Sequence, residues 1–569
     1  MSRTTFPEND GAHTPPDRSQ DGTGDDPREG GATAGRPEEN GTGGGGLRRA
    51  AAGAGLVLMA GAGALLSVGA FLGLYVRPVS DDWCALWKAR DLGVLGISAD
   101  FYRTQNGRVT NAFLTGVLYA DDMTGPKLLP TLLVVTLGAG LFLLAREALR
   151  ALRLPVPAVV LAAAVAVVEA LLFFAGTRPY QALLWAPATL SHTVPSVLGV
   201  WAVIWAVRAA RGGSRARAAA VAGALLVGVA AGMLSEPFVV TAGTAAAVVG
   251  VLCLPGLGRA RDRYAATWCT AWCLGLGIGL VLLTTSPGAR WRRAQQPEKP
   301  LTAAELGETV RDWLRIWETI GGQWAYAGAL AAGVLLGLAV AFAAGDRGPH
   351  ARPGGTARPP LWLLAVLPVP LIALASLVAA YGLRSGYGPT GWTYARTWTS
   401  FLVPFLLALG AYGAWLGHTL GRRFGSPDPK APDLGRAPDA DPERTPAPGA
   451  KAPGPDRRPP ETPRIPVARR DRAVRLTVLV LAGSLTAASL AALVPTVRTT
   501  ATQTVSRSVA WDRQNARIRA GIADGATEVT YRPLLIGGLA EPFFTEVYAR
   551  DWAARCAATY YGVDRLRRG

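Results

Sequence analysis

Histidine and cysteine are scarce in this chain, with four and five residues among 569. No H-x-x-E-H stretch and no cluster of cysteines with histidines occurs, which excludes the zinc sites that such spacings build. There is no catalytic Ser/His/Asp set, no phosphate-cradling glycine loop after a strand, and no segment that reads as a cytoplasmic nucleotide-sugar domain. Charged residues make up only 17%. Few of them fall inside the apolar runs, and neither half of the chain repeats the other, which counts against a secondary transporter. A cleaved leader is not expected either, because the first apolar run follows charged and glycine-rich residues and lacks an A-x-A style processing site.

What the chain has instead is apolar length. Half of the residues are hydrophobic, and they arrive in blocks of about 20, enough to cross a hydrocarbon core of roughly 30 Å. The expectation is an all-α integral membrane protein with about 11 transmembrane helices, near 50–75, 128–146, 155–176, 191–208, 217–235, 237–256, 265–285, 322–344, 361–382, 399–420 and 473–495. Residues 217–256 admit a second reading, one long helix kinked at "SEP", Ser235 to Pro237. A net charge of +18 raises the question of nucleic acid, but the arginines sit in short connections and one linker, where they report topology. With the N-terminus cytoplasmic, the inner connections hold Arg146, Arg150 and Arg153; Arg208, Arg211, Arg215 and Arg217; Arg259, Arg261 and Arg263; and Arg347, Arg352 and Arg358. A single span over 217–256 would invert everything downstream and spoil that pattern. Outside then lie 76–127, 177–190, 286–321, 383–398 and the tail from 496.

The domain plan follows from composition. Residues 1–46 and the Pro-rich 424–470 cannot bury enough apolar surface to offset the entropy of ordering, and both are expected to be cytoplasmic and disordered. Residues 47–423 form a transmembrane domain of about ten spans, 471–495 the last span, and 496–569 a small extracytoplasmic domain. Thr302 and Glu305 form a capping-box pattern. The helix they start carries Leu306, Val310, Trp313, Trp317 and Ile320 on one face, with Arg311, Asp312, Arg315 and Glu318 largely elsewhere, so it either lies in the membrane interface or packs on the other external loops. In the tail, Val505 to Ile522 reads as helix, "TEVTYRPL" as one strand, and "FFTEVYARDWAARCAATYYGVDRL" as helix again. Trp511, Trp552, Tyr560 and Tyr561 need something to pack against.

Two cysteines, Cys84 and Cys556, fall outside under this topology, where a disulfide between them would tie the tail to the first loop. Cys253, Cys269 and Cys273 lie in or beside spans, as small apolar filler. Next to Cys84 stand Asp81 and Asp82. An acid at the start of the helix "DDWCALWKAR" is stabilising in its own right, which accounts for one of them. A second adds like-charge repulsion, which raises the pKa of one member and makes a candidate general base. Paired carboxylates could also share a divalent metal, Mg or Mn.

"SDDWC", "QNGRVTN" from Gln105 to Asn111, "LLWAPATLSHT" before the fourth span, "GMLSEP" from Gly232 to Pro237, "SPGARWRR" after the seventh and the terminal "WAARCAATYYGV" together resemble a bacterial family of multi-pass membrane proteins that is similar to the GT-C superfamily of membrane glycosyltransferases. The resemblance covers most of the membrane portion in order. It implies a bacterial cell-membrane enzyme that moves a sugar from a polyprenyl-phosphate donor, whose tail lies among membrane lipid, to an envelope glycan, lipid or protein acceptor on the outer face. Asp81 or Asp82 would act as base or orient the acceptor. Arg108, Arg290, Arg293, Arg384 and Arg396 would hold the donor phosphate, with Arg108 and Arg290 preferred because "NGR" and "SPGAR" deviate from plain interface composition. Asn106, Trp185, His192 and Glu236 would line the cavity. Each residue has a plainer reading: an interfacial arginine snorkels, Glu236 caps the helix after it, and His192 is a hydrogen-bonded structural histidine. Glu169, inside the third span at a cost of roughly 2.5 to 3.5 kcal/mol, needs a partner or a wet cavity. The rival classes are a transporter or lipid flippase, and a non-catalytic envelope scaffold.

Overall fold

A long apolar run can satisfy its backbone in lipid only as a helix, and the computed structural model is built of little else. It describes residues 42–254, 261–295, 302–345, 366–424 and 467–569. The expected disorder of 1–41 and 425–466, and the inner arginines Arg259, Arg347, Arg352 and Arg358, lie outside the described residues.

The helices are α1 (Thr42–Leu72), α2 (Asp81–Thr104), α3 (Val109–Leu118), α4 (Thr124–Ala151), α5 (Ala158–Phe174), α6 (Ala186–His192), α7 (Val194–Ala210), α8 (Ser214–Gly232), α9 (Glu236–Cys253), α10 (Arg263–Thr285), α11 (Pro287–Ala294), α12 (Ala303–Gly322), α13 (Ala327–Gly345), α14 (Pro368–Tyr387), α15 (Thr399–Arg423), α16 (Val467–Ala523) and α17 (Trp552–Tyr561). Among the described residues, 10 helical stretches are long and apolar enough to cross a membrane. The chain is thus an all-α multi-pass membrane protein. The remaining expected span, 155–176, is α5, which at 17 residues covers about 25 Å. It packs against α4, α13, α15 and α16, and that enclosure explains why it is apolar on every face.

Two parallel helix pairs hold the bundle, each through small residues. A Cβ on Gly228 would meet Gly275 Cα at 3.1 Å, and one on Gly232 would meet Gly279 Cα at 3.0 Å, so α8 and α10 advance together. Parallel neighbours with one helix between them require that helix to run back, so 217–256 is two spans broken at Met233 to Ser235 rather than one kinked helix. Likewise Gly333 lies against Gly410 and Ala414, and Gly337 against Ala414 and His418, which makes α13 and α15 parallel. Glycines let the backbones approach where apolar burial offers no gain over lipid.

Several boundaries differ from expectation. Thr42, not a residue past 46, begins α1, and Val467 begins α16. The last span and the expected tail helix are one helix of 57 residues running through Pro495, so the boundary at 495/496 falls inside an element. The terminal helix is shorter than expected: the Asp551 carboxylate caps it by accepting from Ala554 N–H at 2.8 Å, and Gly562 at φ 69° ends it. The chain then forms β2 (Arg565–Arg568), which pairs in parallel with β1 (Glu528–Tyr531), Val529 opposite Leu566.

For α12 the cap is as expected, with Thr302 Oγ1 accepting from Glu305 N–H at 3.2 Å, but the buried face is rotated. Thr309, Asp312, Ile316 and Ile320 are inside, while Leu306 and Val310 are 46% and 43% exposed. The reason is ionic: Asp312 accepts from Arg384 at 3.0 Å and Arg315 at 3.1 Å. Trp313 and Trp317 both donate to Ser376 Oγ on α14, at 2.8 and 3.1 Å.

The expected outer segments all meet at one end of the bundle. A disulfide joins Cys84 and Cys556, Cα atoms 4.9 Å apart. Fully buried Trp83 sits among Trp511, Tyr531, Tyr560 and Tyr561, with ring centroids 5.6 to 6.3 Å away. Trp552 packs on Phe544. At the opposite end, buried Glu147 gathers Arg150, Arg208 and Arg211.

Candidate active site

The loop before α2 is held from behind. Arg507 on α16 donates to the carbonyls of Arg77 at 3.2 Å and Pro78 at 2.7 Å, to Leu534 O at 2.6 Å, and to the Glu541 carboxylate. Tyr531 Oη donates to the other Glu541 oxygen at 2.7 Å. Arg77 itself grips Asp512 with two hydrogen bonds, 2.6 and 2.8 Å. So clamped, Ser80 keeps φ 54°, a left-handed conformation that persists in a non-glycine residue only where its surroundings enforce it.

Asp82 points inward. It is 1% exposed, and its carboxylate accepts from Val79 N–H at 3.0 Å and from Tyr119 Oη. Burial pushes its pKa up to about 7, against the opposing hydrogen bonds, and burial also raises Tyr119 well above the usual phenol value. Asp82 ties α2 to the loop after α3 and is a structural acid.

Asp81 points the other way. Its side chain is exposed. No hydrogen bond or ion pair reaches it among the described residues. Desolvation raises its pKa, and the charges of Arg396 and Arg292 oppose the rise. Arg396 lies over the rings of Trp185 at 5.0 Å and Tyr394 at 4.9 Å and donates to Gln181 Oε1 at 2.9 Å. Neutral groups therefore hold this guanidinium, and its charge is left uncancelled near Asp81.

The motif glycines bring the remaining loops alongside. Gly107 has φ 74°, and a Cβ there would lie 2.1 Å from Ser286 Oγ; one on Gly288 would lie 2.6 Å from Gln105 N. "QNGR" and "SPGAR" thus pack directly on each other. Asn106 Oδ1 accepts from Arg108 N–H at 3.1 Å, so Asn106 shapes this turn. Arg108 pairs with Glu236 at 2.7 Å, and its Nε has no partner among the described residues. Glu236 lies in the first turn of α9, after Ser235 at the cap position, and holds Arg108. Among the described residues His192 is buried with Nδ1 unpartnered, near the charges of Arg108 and Arg396. Glu169, buried with Oε1 unpartnered among the same residues, lies against Gly138.

Of the five expected phosphate-binding arginines, the structure leaves one beside the acid. Arg384 is bonded to Glu305 and Asp312, and Arg293 donates to Thr284 O at 2.5 Å. Arg290 is exposed on α11 without an ion pair among the described residues. The charges that act on Asp81 are those of Arg396 and Arg292 rather than of the preferred pair, Arg108 and Arg290. Three arginines within four residues of a helix point in different directions, and only the packing of α11 selects among them. Gln181 was missed too, although a glutamine within the largely apolar "YQALLW" was a readable signal.

The metal expectation fits poorly. Asp82 is committed to Tyr119 and Val79, and among the described residues no three His, Cys, Asp or Glu side chains gather as a metal site. A cavity of about 800 Å³, lined by Arg178, Tyr180, Trp392 and Trp398 among others, is not lined by Asp81. Comparison of the chain with protein-family models, with curated proteins and with solved structures gives no match.

Proposed function

We propose that this chain is a GT-C-like glycosyltransferase of a bacterial cell membrane, moving a sugar from a polyprenyl-phosphate donor to an envelope acceptor. The arginines at the opposite end support, by the positive-inside rule, an outer position for the loop end carrying Asp81, with the N-terminus cytoplasmic and the C-terminus extracytoplasmic. One observation carries the reading: Asp81 is an exposed carboxylate that no hydrogen bond or ion pair reaches among the described residues, and it feels the charges of Arg396 and Arg292, for which no ion pair is found among those residues either.

Asp81 takes the proton from the acceptor hydroxyl as its oxygen attacks the anomeric carbon of the donor sugar. The bond from that carbon to the phosphate oxygen breaks, and the polyprenyl phosphate leaves with the bonding electrons. Arg396 and Arg292 offset the charge that grows on the departing phosphate. The raised pKa of Asp81 brings the base nearer to ambient pH, where proton transfer is most effective. No step passes through a metal.

The test compares envelope glycan composition in cells carrying the native chain, Asp81→Asn or no copy. The reading expects Asp81→Asn, at normal abundance, to match the cells without the protein. A normal glycan profile from the Asp81→Asn variant would remove its main support.

A further inference from the structure

We infer that the cleft of about 800 Å³ beneath the C-terminal cap is a saccharide-binding site. As the seat of the acceptor's sugar chain this rests on the transfer reading; as a site for saccharide it stands independently. The volume lies within the range of about 300 to 1,000 Å³ that holds small ligands.

The lining decides the class of ligand. It contains Trp392 and Trp398, several threonines, Gln503 and the cation Arg178, but among the described residues no carboxylate and no Leu, Ile, Val, Met or Phe. A lipid tail would find almost nothing aliphatic there. A sugar offers C–H faces that pack on indole rings and hydroxyls that exchange hydrogen bonds with threonine, amide and guanidinium groups.

The polar wall is also regular. Thr496, Thr499, Thr500 and Gln503 recur at helical spacing on α16 and so share one of its faces. Thr500 Oγ1 donates to Thr496 O at 2.8 Å, whereas the Thr499 hydroxyl and the Gln503 amide bond to nothing among the described residues. Across the cleft, Gly537 and Gly538, at φ 59° and 66°, press so close that added Cβ atoms would meet the Tyr180 ring at 2.9 Å and Arg178 Nη1 at 2.2 Å. Gln181 donates to Gly537 O at 2.7 Å and accepts from Arg396 at 2.9 Å. Gln181 thus bridges the cleft's Gly537 and the Arg396 guanidinium.

The experiment uses the full chain in lipid nanodiscs with maltotriose, mannotriose and trigalacturonic acid at millimolar concentration, read by saturation-transfer NMR and calorimetric titration. At least one of them binds saturably. Trp392→Ala and the pair Thr499→Val/Gln503→Leu each weaken that binding about tenfold, and Asp81→Asn leaves it within about twofold. The Thr499/Gln503 pair is exposed, so its loss of binding at unchanged thermal stability is not a folding defect. No binding by any of the three, or binding unmoved by either set of substitutions, overturns the assignment. Loss of binding in Asp81→Asn also overturns it, by moving the saccharide to Asp81. If Asp81→Asn leaves glycan composition normal while the cleft variants still lose saccharide, only the transfer reading fails.

Discussion

Two arginines face the loop that carries the acid pair, and the protein treats them in opposite ways. In the cap, Arg507 bonds to three carbonyls and to Glu541, whose second oxygen is held by Tyr531. Near Asp81, Arg396 has one amide oxygen and two aromatic rings, and Asp81 is bonded to nothing among the described residues. A buried charge with every partner in place is architecture, because removing any member strands the rest. A charge held only by neutral groups keeps its field for something else, and such groups concentrate at functional sites. The same division separates Asp82 from Asp81 one residue away.

Breaking each region should therefore give a different kind of damage. Asp81→Asn is expected to slow sugar transfer by about 10² to 10⁴ with an unchanged unfolding midpoint, measured with the purified protein and labelled donor lipid. Arg507→Met should do the reverse. It leaves Glu541 buried without its cation, at about 3 to 5 kcal/mol of stability, read by denaturant unfolding of the cap; Arg507→Met with Glu541→Leu should recover much of the loss. Cys84→Ser with Cys556→Ser removes the covalent tie between α2 and α17 and should cost about 2 to 4 kcal/mol, seen as faster proteolysis of the cap under non-reducing conditions.

The smallest effect is a slope with pH. Asp82 holds its proton up to about 7 in the folded chain against an ordinary value of 3.8. Its contribution is present in full below the ordinary value and is lost as pH rises through about 7. Stability should therefore decline between those limits, and Asp82→Asn should flatten the decline. Burial raises Asp81 and Glu541 in the same direction, so a residual slope remains.

Much of this architecture can be read from single residues in order. The apolar blocks, the "SEP" break, the Thr302 cap and the gathering of outer segments each depend on local pattern or on solvent preference. Long-range pairing is what local pattern does not carry. Asp312 has the pattern of a solvent-facing residue until Arg384 arrives from α14 to bury it. The terminal "VDRLRR" lacks strand alternation, and its pairing with β1 depends on the turn at Gly562. Pro495 is an ordinary place to end a helix, yet α16 continues through it. At the site, sequence shows two acids and many arginines; the partners that Tyr119 and Val79 supply to Asp82, and those of each guanidinium, set them apart.

The most direct measurement is thiol labelling of intact cells with a membrane-impermeant maleimide, using Asp81→Cys and Asp82→Cys in a chain whose Cys253, Cys269 and Cys273 are replaced by alanine. Position 81 should react from outside, and position 82 should react only after denaturation. Equal reactivity at the two positions, or labelling of position 81 from the cytosol alone, would contradict the division between an open acid and a sealed one.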